Sequence, residues 1–443
     1  MKRRMIGLLL LAGALLICLA LGACGDTGPK GPSWDENILV YAHTIPWANV
    51  SQELLDEFKD AHPDIQLEVR DYTDEGGIRR LLTEMLAGDI PDIMEMDLLP
   101  YRQMAEKGYL ENLWPYIESD PELGRESLME VPLKAAEVDG KLYTIFRSVS
   151  IQTMVGPESL VGDRISWTVE DLLEAFSKMP PDATITDYYA TKKMMFDCIF
   201  RMNLDSFVNW ETGKCSFDSD SFRNSLRFVD NFPTELEWSG KKEELEELSY
   251  RRRNGLEMLS SMGIYDLHSL QYYEKVLYGE KISFVGYPVG DDSVGSCFET
   301  SIKLAMSSTC RQKDVVWDFL RTTILPKYNF KSMMKVLDER SANINFPVNR
   351  ADYDTLVRVF TSENGFRIHT SVYDKEPLPQ PTEDQIARFE AFYNQIDKLN
   401  FCNQEIYDIV WEQCGPYFAG DKTTDETIDL IQNRVSLYVN ESR

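Results

Sequence analysis

A chain of 443 residues exceeds the ~100–200 residues of one ordinary domain, so two or three domains are expected. Its 43% hydrophobic, 11% aromatic and 27% charged residues are those of a folded globular protein and exclude a disordered chain. A formal charge of −27 repels phosphate backbones and anionic lipid, which argues against nucleic acid as a partner.

The N-terminus carries a basic group (Lys2, Arg3, Arg4), an uncharged apolar run from Met5 to Ala23, and then Cys24. Such a run is also long enough to span a bilayer. Leu21-Gly22-Ala23-Cys24 matches the lipobox of bacterial lipoproteins, in which the Cys is lipidated and becomes the mature N-terminus. Residues 1–23 are therefore expected to be a removed leader and 24–35 a Gly/Pro/Ser-containing tether. A plain membrane anchor ending in Ala-Cys is the alternative. Loss of the three basic residues would take the charge from −27 to −30. Cys198, Cys215, Cys297, Cys310, Cys402 and Cys414 form no C-x-x-C pair, which leaves zinc and redox motifs without support. Disulfides and buried thiols both remain open for them.

Three short apolar strands follow at even spacing, Ile38 to Ala42, Ile65 to Val69 and Ile93 to Met96. Between them, Val50, Leu54, Leu55, Phe58 and Ala61 line one helix that ends before Pro63, and Ile78, Leu81, Leu82, Met85 and Leu86 line another that stops at Gly88. Crossovers this short predict a parallel sheet with right-handed connections. A helix is predicted over 100–107, and an extended segment over 140–145 behind an Asp139-Gly140 turn. Helical spacing then covers 169–176, 192–202, 220–232 and 256–276, with the charged run 241–247 as a solvated face. Residues 282–288 are extended again, a Gly-rich loop reaches Gly295, and Trp317, Phe319 and Leu320 lie on a helix. The last ~90 residues are helical, closing with Ile428, Ile431, Val435 and Tyr438 on one face.

Motifs for chemistry are missing. There is no G-x-G-x-x-G after the first strand, no G-x-x-x-x-G-K-[ST] and no G-x-S-x-G around Ser293. The four histidines, His43, His62, His268 and His369, are too scattered for H-E-x-x-H, so no metal or other cofactor is expected. Two carboxylates suffice for a glycosidase, and with 73 acidic residues their presence decides nothing.

Taken in order, several segments resemble the extracellular solute-binding proteins of ABC importers, family 1, the maltose-binding-protein-like family, in its Gram-positive lipoprotein form. Ala87-Gly88-Asp89-Ile90-Pro91-Asp92-Ile93 is similar to the family's entry to its third strand. Glu106-Lys107-Gly108-Tyr109-Leu110-Glu111-Asn112-Leu113, Asp139-Gly140-Lys141-Leu142-Tyr143, Ser166 to Leu172, Val316 to Leu320, Phe346-Pro347-Val348-Asn349, Tyr417 to Gly420 and Gln432 to Val435 are similar to later pieces. Phe146 replaces the family's usual Pro, and Met154-Val155-Gly156 its aromatic strand. This puts the usual ligand contacts of that segment in doubt.

The resemblance implies a two-lobed periplasmic-binding-protein-like α/β fold, each lobe a mostly parallel sheet flanked by helices. Residues 36–145 and 283–345 would form the N-terminal lobe and 146–282 and 346–443 a helix-rich C-terminal lobe, with crossings near Tyr143, Tyr287 and Phe346. It further implies a non-enzymatic, lipid-anchored protein on the outer face of the cell membrane. Such a protein delivers a small solute, a carbohydrate by expectation, to ABC permease subunits. A secreted glycoside hydrolase and a solute receptor for a sensor protein are the alternatives. Ligands of open parallel sheets bind beyond the strands' carboxyl ends, so Trp47 and Tyr72 are candidate stacking residues and Asp97 a candidate polar contact. Trp47 as a hydrophobic staple, Tyr72 packed on the other lobe and Asp97 as a helix cap are the structural alternatives. Tyr287 and Trp210 are added from the returning segment and the second lobe. Trp167 and Trp317 are assigned to the core.

Overall fold

The computed structural model describes residues 37–442 apart from 47–51, 188–189, 211, 237–238, 240, 262, 291–292, 301, 341–343, 368–376 and 402. The proposed lipid site Cys24 and the candidate Trp47 lie outside the described residues. In chain order the elements that position the site are β1 (Ile38–His43), α1 (Gln52–Ala61), β2 (Gln66–Asp71), α2 (Gly77–Leu86), β3 (Ile93–Glu95), α3 (Tyr101–Glu106), β4 (Ser148–Gln152), β5 (Val155–Pro157), α4 (Val169–Phe176), α5 (Lys192–Phe207), α6 (Asp220–Val229) and α7 (Lys242–Arg253). They continue as β6 (Ile282–Phe284), β7 (Cys297–Glu299), β8 (Leu304–Met306), α8 (Lys313–Arg321), α9 (Phe330–Arg340), β9 (Phe346–Pro347), α10 (Arg350–Thr361), α11 (Glu383–Tyr393), α12 (Gln404–Phe418) and α13 (Thr424–Ser442).

The first lobe is built on a sheet of order β8-β3-β1-β2, with β1, β2 and β3 parallel and β8 antiparallel to β3. Side chains alternate across it. Leu39, Tyr41, Ile93, Leu304 and Met306 enter one core with α8, while Ala42, Met94 and Ala305 enter a second core with Leu81 and Met85 of α2 and Tyr101 and Met104 of α3. Because both faces are covered, the central strands read as unbroken apolar runs. β2 is the edge, and its Val69 is 41% exposed. Gly88, at φ 92, terminates α2 in the left-handed conformation that glycine adopts without a Cβ penalty.

The second lobe is helical. Its core joins α4, α5, α6, α12 and α13 around Phe196, Phe217, Phe222, Ile428, Ile431 and Val435. The short β5–β6 pair is antiparallel and turns Val155, Ile282 and Phe284 into the first core. Between the lobes lies a three-stranded antiparallel sheet, β9-β4-β7. Trp167 and Trp317 are buried, as expected, and each indole N–H donates within the protein, to Gly286 O and to Asp120 Oδ2. The described cysteines Cys198, Cys215, Cys297, Cys310 and Cys414 are buried thiols.

Three segments differ from the sequence expectations. Residues 256–261 and 263–267 are not helical: Leu259 and Ser260 hydrogen-bond to Ile185 and Val155, and Ile264 bridges Ile151, so the strands capture this backbone. Gly255 and Gly263, at φ 64 and 77, turn it out of helical geometry. Residues 282–289, expected in the first lobe from 283 onward, serve both cores: Ile282 and Phe284 of β6 enter the first, while Val285, Tyr287 and Val289 pack in the second. The chain also stays with the first lobe past Phe346, since Met129 N donates to Val348 O and Arg350 donates to Glu126 O and Leu128 O.

Candidate functional site

Parallel strands bring the carboxyl ends of β1, β2 and β3 to one edge, and the loops leaving β1 and β2 are held by carboxylates, one buried and one exposed. Glu95, only 1% exposed, closes β3. Its carboxylate accepts from Tyr41 Oη (2.7 Å), His43 Nδ1 (3.0 Å), Thr44 N (2.7 Å) and Ile45 N (3.1 Å). Burial, then the Glu95 charge, drives the Tyr41 phenol far above its usual range. Beyond β2, Asp71 Oδ1 accepts from Thr73 N and Oγ1 at 2.9 and 2.7 Å, which folds the loop tightly toward Gly77. A Cβ at Gly77 would lie 2.1 Å from Tyr72 O.

Two of the five candidate ligand residues sit on this edge, both already engaged. Tyr72 is buried within its own lobe, donates to Glu84 Oε2 at 2.6 Å and lies under the Arg80 guanidinium; burial and the Glu84 bond push its phenol up to about 12. Asp97 does not cap α3, whose N-cap is Pro100; it accepts from Lys303 N (3.0 Å) and Nζ (2.7 Å) in a pair with both side chains under 10% exposed. Tyr287 is fully buried in the second core, away from any opening, because Gly295 folds back so closely that Tyr287 N donates to Gly295 O at 2.6 Å. Trp210 is half-buried at the tip of a two-stranded hairpin and borders an opening between the lobes.

Among the described residues, two adjoining openings that share Pro100 and Asn403 lie between the lobes. One, of about 400 Å³, is walled by Asp74, Ile78, Leu98 and Pro100 of the first lobe and by Gln404, Glu405 and Tyr438 of the second. The other, of about 190 Å³, lies between Pro100–Gln103 and the segment 397–403, where Phe401 stacks flat on Tyr101 at 4.1 Å.

Helix α12, which supplies Gln404 and Glu405 to the larger opening, also carries residues that sequence analysis did not single out and that lie outside both openings. One turn beyond Gln404, Tyr407 meets Lys193 Nζ (2.5 Å) and donates to Asp197. The Lys193 ammonium also lies 5.0 and 5.2 Å over the rings of Tyr407 and Trp411. Lys193 is about half exposed, so a cation over two rings faces solvent there. The available sequence signal was the i,i+4 pairing of Lys193 with Asp197 and of Tyr407 with Trp411. Glu95 also had a signal, a lone acid inside an apolar strand. Among the described residues no group of three His, Cys, Asp or Glu could hold a metal ion, and no helix is long and apolar enough to cross a membrane.

No family model matches the chain. Among solved structures, the sugar-binding protein MalE from Xanthomonas citri superposes with a TM-score of 0.55 at 14% identity, covering 91% of this chain and 98% of that one. The ABC substrate-binding protein Lmo0181 from Listeria monocytogenes, in complex with cycloalternan, gives 0.52 at 17% identity, covering 92% and 100%. A periplasmic oligogalacturonide-binding protein from Yersinia enterocolitica gives 0.52 at 14% identity, covering 91% and 99%. With nearly the full length of each matched, the chain has the two-lobed α/β fold of ABC-importer solute-binding proteins.

Proposed function

We propose that this protein is an extracellular, lipid-anchored receptor that captures a small carbohydrate between its lobes and hands it, chemically unchanged, to an ABC importer. The observation that carries the reading is that Asp74, Ile78, Leu98 and Pro100 at the strand ends of the first lobe face Gln404, Glu405 and Tyr438 of the second across a 400 Å³ opening. Ligand shifts an open–closed equilibrium only through contacts made better in one state, and groups on both walls meet that requirement. Aromatic faces suit the C–H surface of a sugar ring, and acids and amides suit its hydroxyls. Structures of the same fold that carry a sugar, cycloalternan or an oligogalacturonide in their names support a carbohydrate. Trp47 is retained as a first-lobe stacking residue, and Cys24 as the lipid attachment point.

The test is a thermal-melt screen of residues 34–443 against sugars, oligosaccharides, polyols and amino acids. A ligand at ~100 times its dissociation constant stabilises by about 2.7 kcal/mol. A glycan that raises the melting temperature and is recovered intact supports import; hydrolysis of that glycan, or silence across all carbohydrates, sinks the proposal.

A further inference from the structure

Among the described residues, β2 pairs with β1 alone. Gln66 N donates to Asn37 O (2.7 Å) and Tyr72 N to His43 O (2.8 Å), so Gln66, Glu68 and Arg70 turn their backbones toward β1, while Leu67 and Val69 turn theirs outward. Beside this outer edge, α1 and β2 enclose a groove of about 440 Å³ lined by Leu55, Phe58, Pro63, Ile65, Leu67 and Val69. Phe58 forms its buried floor, Leu55, Ile65 and Leu67 are half-buried, and Val69 stands exposed. A sheet edge flanked by apolar side chains is a template for passing chains unless something covers it.

We propose that this groove is the docking site of the chain's own N-terminal segment, with the indole of Trp34 as its anchor. The described chain begins at Asn37, and the Asn37 carbonyl already holds the backbone of Gln66, which borders the groove. Trp34 is three positions earlier, at most ~11 Å of extended backbone, and two strand spacings of ~4.8 Å carry a chain from β1 past the outer edge of β2. Between Cys24 and Glu36 every other residue is small, polar or proline, so Trp34 is the one side chain there with a large apolar surface to bury. The groove's volume is in the range of small-molecule sites and has room for an indole. A link this short closes at little entropic cost, whereas a second copy would give up its translational and rotational freedom for one narrow groove. With Cys24 lipidated, docking would leave residues 25–33, at most ~30 Å of chain, as the free link and would fix which edge of the first lobe faces the membrane. That consequence rests on the lipid-anchor reading; the docking itself does not.

Fluorine NMR tests this on the chain from residue 24, carrying Cys24→Ser so that no lipid is attached and 5-fluorotryptophan at its eight tryptophans. Trp34→Phe identifies the Trp34 signal by its loss. That signal should lie away from the position of free fluorotryptophan and return to it in Val69→Lys, which sets a charge in the groove at an already exposed position. In urea unfolding, Trp34→Ala should raise the unfolding constant about tenfold, as covering part of an indole implies, and should add nothing further in the Val69→Lys background. A Trp34 signal at the free position overturns the proposal. So does a displaced signal that ignores Val69→Lys, and so do additive costs of the two substitutions. A displaced signal that returns to the free position on dilution would assign the groove to the segment of a second copy and overturn it as well. No readout involves a solute or a lipid, so a failure here and a failure of the proposed function are told apart.

Discussion

His268 and Asp266 are two buried groups with opposite pH signatures. The His268 ring is packed against Phe360 and Phe366 with neither nitrogen bonded, and burial lowers its pKa to about 4. Between about 4 and 6.5 the unfolded chain binds the proton and the folded chain does not, so stability falls as pH drops through that window. Asp266 is raised to about 6 by burial, so its folded form keeps a proton that the unfolded carboxyl releases near 3.8; stability then falls as pH rises through that range. Each effect is of order 3 kcal/mol, and they oppose one another. Denaturant unfolding of His268→Leu should therefore lose stability as pH rises from 4 to 6. Asp266→Asn, which keeps the oxygen that accepts from Ser269 N, should lose stability as pH falls instead. Equal slopes in both variants would refute the pairing. At the strand edge, Glu95→Gln turns a donor toward groups that are themselves donors, and a loss of about 3 kcal/mol in urea unfolding is expected.

That Asp97 would lie near the strand ends was readable from three evenly spaced apolar runs, because period and length alone fix where a parallel strand stops. Its partner was not readable, since Lys303 is 206 residues away and is brought there by β8. Tyr287 shows the same limit. A Gly-rich loop was visible, but not that Gly295 closes onto the tyrosine and seals it inside.

At the scale of elements, periodicity was a sound guide wherever one side of a helix meets one core. Leu54, Leu55 and Phe58 of α1, Leu81 and Met85 of α2, Met195, Phe196 and Ile199 of α5 and Ile428, Ile431 and Val435 of α13 all turn inward, whereas Leu86, expected on the α2 stripe, is 80% exposed. It failed over 256–261 and 263–267, where buried residues at helical spacing are held by bridges to β4 and β5. Gly263→Ala tests that account. With φ at 77 and an added Cβ 2.9 Å from Ile151 O, the variant should lose about 2 kcal/mol or more and free the Ile151–Ile264 bridge to faster amide exchange. A neutral substitution would mean the strand pairing matters less than the glycine geometry implies.

At the scale of the whole molecule, neither lobe is a continuous stretch of chain. The first core joins residues of 39–155 with others of 264–399, and the second joins residues of 154–259 with others of 285–297 and 406–439. Closure should therefore be hinged, with the β9-β4-β7 sheet as the pivot, and small-angle scattering should report a smaller radius of gyration with ligand. An unchanged radius at saturation would argue against closure. Cys24→Ser should abolish incorporation of labelled palmitate into the protein, and continued incorporation would contradict lipidation at that residue.

The late arrival of β8 has a consequence for synthesis. β3 waits for Leu304–Met306 before its outer edge is paired, so the first lobe, although encoded first, cannot finish its sheet until more than two-thirds of the polypeptide has emerged. Pairings of such long sequence separation close slowly. A chain built this way stays threadable for most of its translation, which fits the export proposed above.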